Sequence, residues 1–483
     1  MFMTRYGAVA HSYPLPQALA ALVAVLFLGG CGGPELSPWH TVQLTSEFSA
    51  DSTDGVDSFE DYLRLEDAVF TQLDQLIYEH TDTGPNHALE RYSRGSLADP
   101  SQHQRNWNRS FELSNEAPVG GVLLLHGMSD SPYSLRALGE ALQQRGFQVL
   151  GLRMPGHGTA PSGMAQVSWQ DMSAVVRLGM AHLGQRVGDK PIHIIGYSTG
   201  AALALDFALQ VEQGTAQPAA ASLVLISPAI GLSPAAALAK WGRRLSGLPG
   251  LGRLAWLDVT PEFDPYKYNS FTTNAAEQVH SLTSSVTSRI AARGNTAHPL
   301  PPILVLKSTV DATVSNNAVV DRLMLQLAPE RHQMVLFDIN RFANIASLLV
   351  DDPSPFTARL IADEQLPFGL TLVANAEANS RAVNAYHKAP FSAGAARIEV
   401  LEQNWPGGVF SLSHVALPFP PDDPLYGSTP PAGGNTLFLG QQALQGERGV
   451  LKIPGNFLLR LRHNPFYDYL ESRVLRWIEN PGQ

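Results

Sequence analysis

The chain has a single cysteine among 483 residues, only 16% charged residues, and no basic run. One cysteine cannot form an internal disulfide framework, and no spacing of Cys and His residues suggests a zinc site. Asp and Glu outnumber Lys and Arg by 43 to 33, giving a formal net charge of −10, which argues against a surface that follows nucleic-acid phosphates. We therefore expect no metal, no cofactor and no nucleic-acid partner.

The hydrophobic share of 44% is too high for a disordered chain, and 41 Gly and 35 Pro without repeats are too few for a fibrous one. The sequence therefore indicates a globular protein with a large core. At about 150 residues per domain the length suggests about three domains, but one elaborated α/β domain is equally compatible with it.

An apolar run from Ala18 to Gly30 follows one clear positive charge, Arg5, and ends at the only cysteine, Cys31. The run is shorter than the about 20 residues that span a bilayer, and it fits the hydrophobic region of a secretory signal. Leu28-Gly29-Gly30-Cys31 resembles the lipobox of bacterial lipoproteins. The resemblance implies a signal peptide over residues 1–30, a lipid anchor on Cys31, and a place in the bacterial cell envelope, at the outer membrane in a Gram-negative host. A small buried cysteine is the alternative.

The rest of the chain divides by its pattern of apolar residues. Residues 31–57 are polar without a period and are expected to be a tether. Residues 58–115 are expected to be a helical extension, because apolar side chains between Phe59 and Ile77 recur close to helical spacing. From residue 116 to 483, short apolar runs alternate with helical segments. The runs are Val122–Leu125, Phe147–Leu152, Ile192–Ile195, Leu223–Ile226 and Ile303–Leu306. This pattern predicts a doubly wound, mostly parallel α/β fold, with ligands beyond the carboxyl ends of the strands.

Two motifs follow predicted strands directly. Gly196-Tyr197-Ser198-Thr199-Gly200 lies between a strand and a helical run, and in that context it indicates a sharp turn that exposes a nucleophilic serine, Ser198. A surface serine in a glycine-rich turn is the alternative. His126-Gly127-Met128 ends an earlier strand. We expect the amides of Met128 and Thr199 to form an oxyanion hole, and His126 to be structural.

These motifs, together with Arg153-Met154-Pro155-Gly156-His157-Gly158 and Trp169-Gln170-Asp171, resemble the α/β-hydrolase superfamily. They are most similar to its branch of monoacylglycerol lipases, bacterial carboxylesterases and serine-aminopeptidase-like enzymes. The resemblance is dense from about Val119 to Pro228 and looser to Asp311. It implies a helical cap, here residues 229–300, and a catalytic triad in the order Ser, Asp, His.

Asp311 follows the strand-like run Pro302–Ser308 and is where the resemblance places the triad acid. Capping of the next helix is the alternative, although Ser315 is better placed to cap it.

The histidine of the triad has four candidates, His332, His387, His414 and His463. The first precedes an apolar run, the second lies in a helix-like stretch, and the last lies near the terminal helix. His414 is preferred because it follows the strand-like run Val409–Leu412 and precedes a proline-rich loop. Its distance from the acid requires an insertion, expected over residues 340–404.

The sequence thus predicts a lipid-anchored serine hydrolase that cleaves carboxylic esters, of the carboxylesterase or lipase type, on small acyl esters or lipids. One alternative is a serine-aminopeptidase-like peptidase, for which Glu262 or Asp264 would pair with a substrate ammonium. A non-catalytic binding lipoprotein is the third reading, because a fold does not fix a function. The adjacent Asp422 and Asp423 are interpreted as solvated loop charges.

Overall fold

The computed structural model describes residues 35–51, 55–231, 252–293, 299–343, 346–432, 436–440 and 455–482. The expected signal peptide and Cys31 lie outside these ranges, as does part of the expected cap. No helix within them is both long and apolar enough to cross a membrane.

Twelve strands are formed within the described ranges. They are β1 Phe111–Leu113, β2 Gly121–Leu125, β3 Gln148–Leu152, β4 Ile192–Tyr197, β5 Ser222–Ile226, β6 Trp256–Asp258, β7 Phe271–Thr272, β8 Ile303–Ser308, β9 Gln333–Phe337, β10 Gly369–Asn375, β11 Ala382–Lys388 and β12 Arg397–Asn404. Ten of them form one sheet in the order β1-β3-β2-β4-β5-β8-β9-β10-β11-β12. The strands from β3 to β10 in this order run parallel, and β1, β11 and β12 are antiparallel to their neighbours.

The α-helices of the described chain connect these strands and cover the sheet. They are α1 Pro38–Thr41, α2 Phe59–Leu76, α3 Arg136–Gln144, α4 Trp169–Val187, α5 Thr199–Glu212, α6 Thr273–Ala292, α7 Asn316–Arg322, α8 Ser354–Ala362, α9 Gly455–Leu458 and α10 Tyr467–Glu479. The longest helices begin at capping side chains. Ser58, Ser168 and Thr272 each accept a hydrogen bond from the amide three residues on, which satisfies a donor that the helix itself leaves unpaired.

The core lies on both faces of the sheet. Leu123 and Leu125 of β2 point into a cluster shared with α4, α5 and α6, whereas Val122 and Leu124 point into a second cluster shared with α3 and α10. Because successive side chains of a strand alternate between faces, a strand covered on both sides must be apolar throughout. The predicted doubly wound, mostly parallel fold is therefore confirmed.

The expected tether over residues 31–57 is wrong for residues 35–51. This segment contains α1 and buries Trp39 and Phe48 against the body of the protein. The Glu47 carboxylate binds the buried Arg153 guanidinium at 2.9 Å, and the Ala50 amide donates to Asp171 Oδ1. Such long-range partners leave no periodic signal in a polar stretch, so the composition alone could not reveal them.

The insertion expected over residues 340–404 adds α8 and the strands β10, β11 and β12 to one end of the sheet. The stretch around His387 is strand β11 rather than helix, and Val383 and Ala385 point into the core from it. This alternation is typical of a strand with one buried face. The expected strand-like run 409–412 is irregular in the structure.

Candidate active site

Ser198 lies in the turn between β4 and α5 with φ 54° and ψ −112°. A positive φ is rare for any residue but glycine, and such strain persists only where the surroundings hold it. The Ser198 amide donates to the Ile226 carbonyl of β5 at 2.9 Å, which ties the turn to the sheet. The serine therefore lies at the carboxyl edge of the strands and at the amino terminus of a helix, as the motif predicts.

Two glycines permit this turn. A Cβ on Gly200 would lie 2.0 Å from the Leu125 carbonyl oxygen, and one on Gly196 would lie 2.4 Å from the Gly200 carbonyl oxygen. Both obstacles are backbone atoms, which cannot rotate away. The close approach also brings the end of β2 to the serine, because a Cβ on Gly127 would lie 3.2 Å from the Ser198 Cβ.

The two residues whose amides are expected to form an oxyanion hole lie beside Ser198. Met128 and Thr199 line the same cavity as Ser198. Within the described chain, neither of their amides donates a hydrogen bond to another backbone carbonyl. Donors for an oxyanion must be left free by the protein and held in place beforehand, so both amides fit the role that the sequence predicts for them.

Two histidines shape this loop. The Met154 amide donates to His126 Nε2 at 3.0 Å, so His126 Nδ1 carries the proton and donates to the Gly127 carbonyl at 2.9 Å. Burial holds the pKa of His126 well below its usual value. His157 is likewise buried, which lowers its pKa to about 4, and its Nε2 lies 3.2 Å from Met128 Sδ. Neither side chain binds the serine, and both have structural partners.

Asp311 and His414 meet although 103 residues separate them. His414 Nδ1 donates to Asp311 Oδ2 at 2.9 Å, and Asp311 Oδ1 accepts from the amides of Thr313 and Val314 at 2.8 and 3.0 Å. Ser315 caps α7, so Asp311 does not take that alternative role. Burial alone would raise the pKa of Asp311, but His414 and a neighbouring lysine hold it well below its usual range.

The loop that carries His414 is fixed from three sides. Tyr197 donates its hydroxyl to the His414 carbonyl at 3.4 Å, and the Ser308 hydroxyl donates to the Leu412 carbonyl at 3.0 Å. The Ser413 hydroxyl donates to the carbonyl of Leu461 at 2.6 Å. Burial lowers the pKa of His414, with Asp311 opposing the shift, so the imidazole is neutral at pH 7 and able to accept a proton.

The other three candidate histidines lie elsewhere. His332 Nδ1 accepts from the Ile303 amide at 3.1 Å, at the amino ends of the strands and therefore at the opposite edge of the sheet. His387 lies on β11 and contacts Glu399 at 3.0 Å. Neither these two nor His463 lines the cavity that holds Ser198. The structure brings only His414, of the four, to the predicted acid.

Ser198 and His414 line one cavity of about 310 Å³. Three apolar residues of the expected cap form part of its wall: Phe271, Ala276 and Val279. No hydrogen bond joins the Ser198 hydroxyl to the imidazole in the described chain, and catalytic hydrogen bonds of this kind often form only with substrate bound. The cavity thus offers an apolar surface directly beside a serine, a histidine and two free amides.

Charged residues also face this cavity. Lys267 Nζ binds Asp130 Oδ2 at 3.2 Å, and Arg460 lines the same cavity. Burial raises the pKa of Asp130 to about 6, while Lys267 acts in the opposite direction. The one carboxylate that lines the cavity within the described residues is therefore already paired with a cation.

Glu262 and Asp264, the carboxylates expected for a peptidase, do not line the cavity. Glu262 accepts from the amides of Asn269 and Ser270 at 2.9 and 2.8 Å. Asp264 accepts from the Tyr426 hydroxyl at 2.6 Å. Both are buried and hold cap backbone or neighbouring loops in place.

The interpretation of Asp423 as a solvated charge is wrong. Its side chain is buried and accepts from the amides of Leu425 and Tyr426 at 2.9 and 2.8 Å and from the Tyr133 hydroxyl at 2.9 Å. The loop before this carboxylate contains three prolines, Pro418, Pro420 and Pro421, and its sequence gives no sign of these partners. Among the described residues, no three His, Cys, Asp or Glu side chains are grouped as a metal site requires.

Lys307 was missed by the sequence reasoning. It lies on β8, fully buried, with Nζ 2.5 Å from Asp311 Oδ2. The available signal was a single lysine inside an apolar strand, four residues before the predicted acid. Lysines are almost never fully buried unless they are paired with an opposite charge, so a lysine at this position indicates a nearby carboxylate.

The family comparison covers the same part of the chain. Residues 122–338 match the model of the alpha/beta hydrolase family. The fold is that of an α/β hydrolase. The match contains the Ser198 turn and Asp311, and it ends before the strands that this α/β-hydrolase domain adds between Asp311 and His414.

Similar proteins include a thermostable monoacylglycerol lipase from a Bacillus species, 38% identical over 92 residues. That alignment covers 19% of this chain and 36% of the lipase, so the chain spans about a third of the length of the curated relative it matches. Similar solved structures include a monoacylglycerol lipase from Paleococcus ferrophilus, which is 23% identical. The alignment covers 47% of this chain and 88% of that chain, with a TM-score of 0.37. Another is a carboxyl esterase from Bacillus coagulans, which is 15% identical. That alignment covers 52% of this chain and 92% of the esterase, with a TM-score of 0.36. Because both TM-scores are below 0.5, neither supports a statement about activity.

Proposed function

We propose that this chain is a serine hydrolase that cleaves carboxylic esters, of the carboxylesterase or lipase type. The observation that carries the proposal is the hydrogen bond to the buried Asp311 carboxylate made by His414, which lines the same cavity as the strained Ser198. A nucleophile, a base and an orienting acid brought together are the parts that acyl transfer requires.

The proposed reaction follows from the positions of these groups. Asp311 accepts a hydrogen bond from the Nδ1–H of His414, which keeps the proton on Nδ1 and leaves Nε2 free to take the proton of the Ser198 hydroxyl as its oxygen attacks the ester carbonyl. The amides of Met128 and Thr199 stabilise the oxyanion. The ester C–O bond then breaks, and the imidazolium returns its proton to the leaving alcohol. Water attacks the acyl-enzyme by the same route and releases the carboxylic acid.

The proposed substrates are acyl esters, monoacylglycerols among them. The apolar cap residues Phe271 and Val279 beside Ser198 offer a surface for an acyl chain. The Bacillus relative is named a monoacylglycerol lipase, which supports an acylglycerol ester as the first substrate to test.

A peptidase is not favoured. An aminopeptidase must bind a substrate ammonium, and neither Glu262 nor Asp264 reaches the cavity. The carboxylate of Asp130, which lines the cavity, binds Lys267. A substrate ammonium would therefore have to displace the ammonium group of Lys267 from it.

The proposal includes a lipid on Cys31 and a location in the cell envelope. Its support is the sequence around Leu28-Gly29-Gly30-Cys31 alone. Expression of the full chain in a lipoprotein-competent bacterium with labelled palmitate should label the wild type but not Cys31→Ser. Equal labelling of both, or of neither, would contradict the anchor.

The catalytic proposal is tested with Ser198→Ala against Ser101→Ala, which alters an exposed serine. Short-chain and long-chain esters, a monoacylglycerol and aminoacyl amides serve as substrates. We expect Ser101→Ala to match the wild type, and Ser198→Ala to lose about 10⁴-fold or more in kcat on esters. If Ser198→Ala still hydrolyses esters, Ser198 is not the nucleophile. If the wild type turns over only the aminoacyl amides, the protein is a peptidase and not an esterase.

A further inference from the structure

Lys307 is a charged residue in the middle of the hydrophobic sheet. It lies on β8 with no exposed surface, after four apolar residues and before the buried Ser308. Its Nζ donates to Asp311 Oδ2 at 2.5 Å and to the Val314 carbonyl at 3.0 Å. Placing an ammonium ion in such surroundings is unfavourable unless it is paired, and both of its partners lie in the segment that carries the triad acid.

The lysine completes the set of donors around the Asp311 carboxylate. Oδ1 accepts from two amides, and Oδ2 is shared between His414 Nδ1 at 2.9 Å and Lys307 Nζ at 2.5 Å. Because each of the two carboxylate oxygens accepts two hydrogen bonds, the carboxylate cannot rotate away from the imidazole without breaking some of them. Lys307 touches neither the cavity nor the nucleophile, so its effect on the serine must pass through Asp311 and His414.

The lysine is also a fixed positive charge near the imidazole. The charged groups that act on His414 are Asp311, Lys307 and Arg460, and Asp130 and Lys267 face it across the cavity. Asp311 favours a protonated imidazole, whereas Lys307 opposes it from the other side of the same carboxylate oxygen. In a buried site such a charge is screened only weakly.

We propose that Lys307 is a positioning residue of the triad, which fixes the Asp311 carboxylate and keeps His414 free of its second proton in mildly acidic solution. The proposal rests on the proposed function, because it requires His414 to be the base. Its consequence is an ester hydrolase whose activity extends to lower pH than the same triad without the lysine would allow.

The test compares Lys307→Met and Lys307→Gln with Lys190→Met, which removes the same charge from an exposed site. Each variant is first checked for folding by thermal unfolding. Two quantities are then followed against pH: kcat/KM on a soluble ester, and the rate at which a fluorophosphonate labels Ser198. The acid limb of either profile reports the protonation of the free enzyme's base. We expect both Lys307 variants to move this limb upward by about one to two pH units, and Lys190→Met to leave it in place.

An independent readout is the titration of His414 by NMR of its imidazole nitrogens, which should move upward by the same amount. An unmoved limb in folded Lys307 variants would overturn the proposal while leaving the proposed function intact. Failure of both variants to fold, with Lys190→Met folded, would also overturn it, since the lysine would then serve the fold alone. Full activity of Ser198→Ala would instead refute the proposed function, and with it the proposed role of Lys307.

Discussion

Substituting Gly200 by alanine tests the packing that creates the nucleophile turn. The added Cβ would lie 2.0 Å from the Leu125 carbonyl oxygen and 2.7 Å from that of His126, well inside any van der Waals contact. Since these obstacles are backbone atoms, α5 must move away from β2. Overpacking of a core costs about 1–3 kcal/mol, and the rigid neighbours lead us to expect about 3 kcal/mol for Gly200→Ala. The move also displaces the Thr199 amide, and losing one oxyanion donor lowers kcat by about 10²–10³-fold.

Gly252→Ala is the matched control, because a Cβ there meets nothing within 4 Å. Both variants are measured by urea unfolding and by kcat on a soluble ester. We expect Gly200→Ala to be folded at low urea but less stable than the wild type and nearly inactive, whereas Gly252→Ala stays close to the wild type. A Gly200→Ala enzyme with wild-type stability and kcat would show that the helix and strand do not approach as closely as described.

Three further predictions concern charged and catalytic groups. His414→Ala should lose about 10⁴-fold in kcat on esters, while His332→Ala, altered at the far edge of the sheet, should remain active; the reverse result would reassign the base. Glu47→Gln should lower the free energy of unfolding in urea by about 2 kcal/mol, because the buried Arg153 loses one of its two carboxylate partners while the partly exposed Glu47 gains little from the change; an unchanged midpoint would mean that this contact adds nothing. Asp311 has a folded pKa below its unfolded value of about 4, so its contribution to stability is present above about pH 4 and is lost as the pH falls further. The urea midpoint of Asp311→Asn should therefore fall less steeply than that of the wild type below pH 4, and parallel curves would contradict this.

Local patterns are sufficient to predict the central sheet and the sharp turn at Ser198. The strands β2, β4 and β8 are mostly apolar because both their faces are buried, and such short apolar runs between helical segments are typical of a parallel sheet. The turn at Ser198 was predictable because its strain requires glycines at fixed positions. The choice of His414 came from its place after a glycine turn and before a proline-rich loop, although the run preceding it is no strand.

The parts that could not be predicted depend on contacts between distant residues. Glu47 and Ala50 bind partners more than a hundred positions away, Arg153 and Asp171, and a polar stretch of this length carries no period that would reveal them. The strand β11 was misread because of its lysine and histidine, although the alternation of Val383 and Ala385 was visible. The role of Lys307 is not visible in the sequence, because it depends on Asp311 Oδ2 accepting hydrogen bonds from both Lys307 and His414. Only the folded chain brings these three groups together.

If Cys31 carries the proposed lipid, the docking of residues 35–51 limits how far the folded domain could lie from the membrane. Eight positions separate Cys31 from the buried Trp39, and an extended chain of that length reaches at most about 28 Å. A free chain to residue 57 would have reached about 90 Å. With a lipid on Cys31, the active site would therefore sample only a thin layer of solution above its own bilayer, and esters in a more distant opposing membrane would lie beyond its reach.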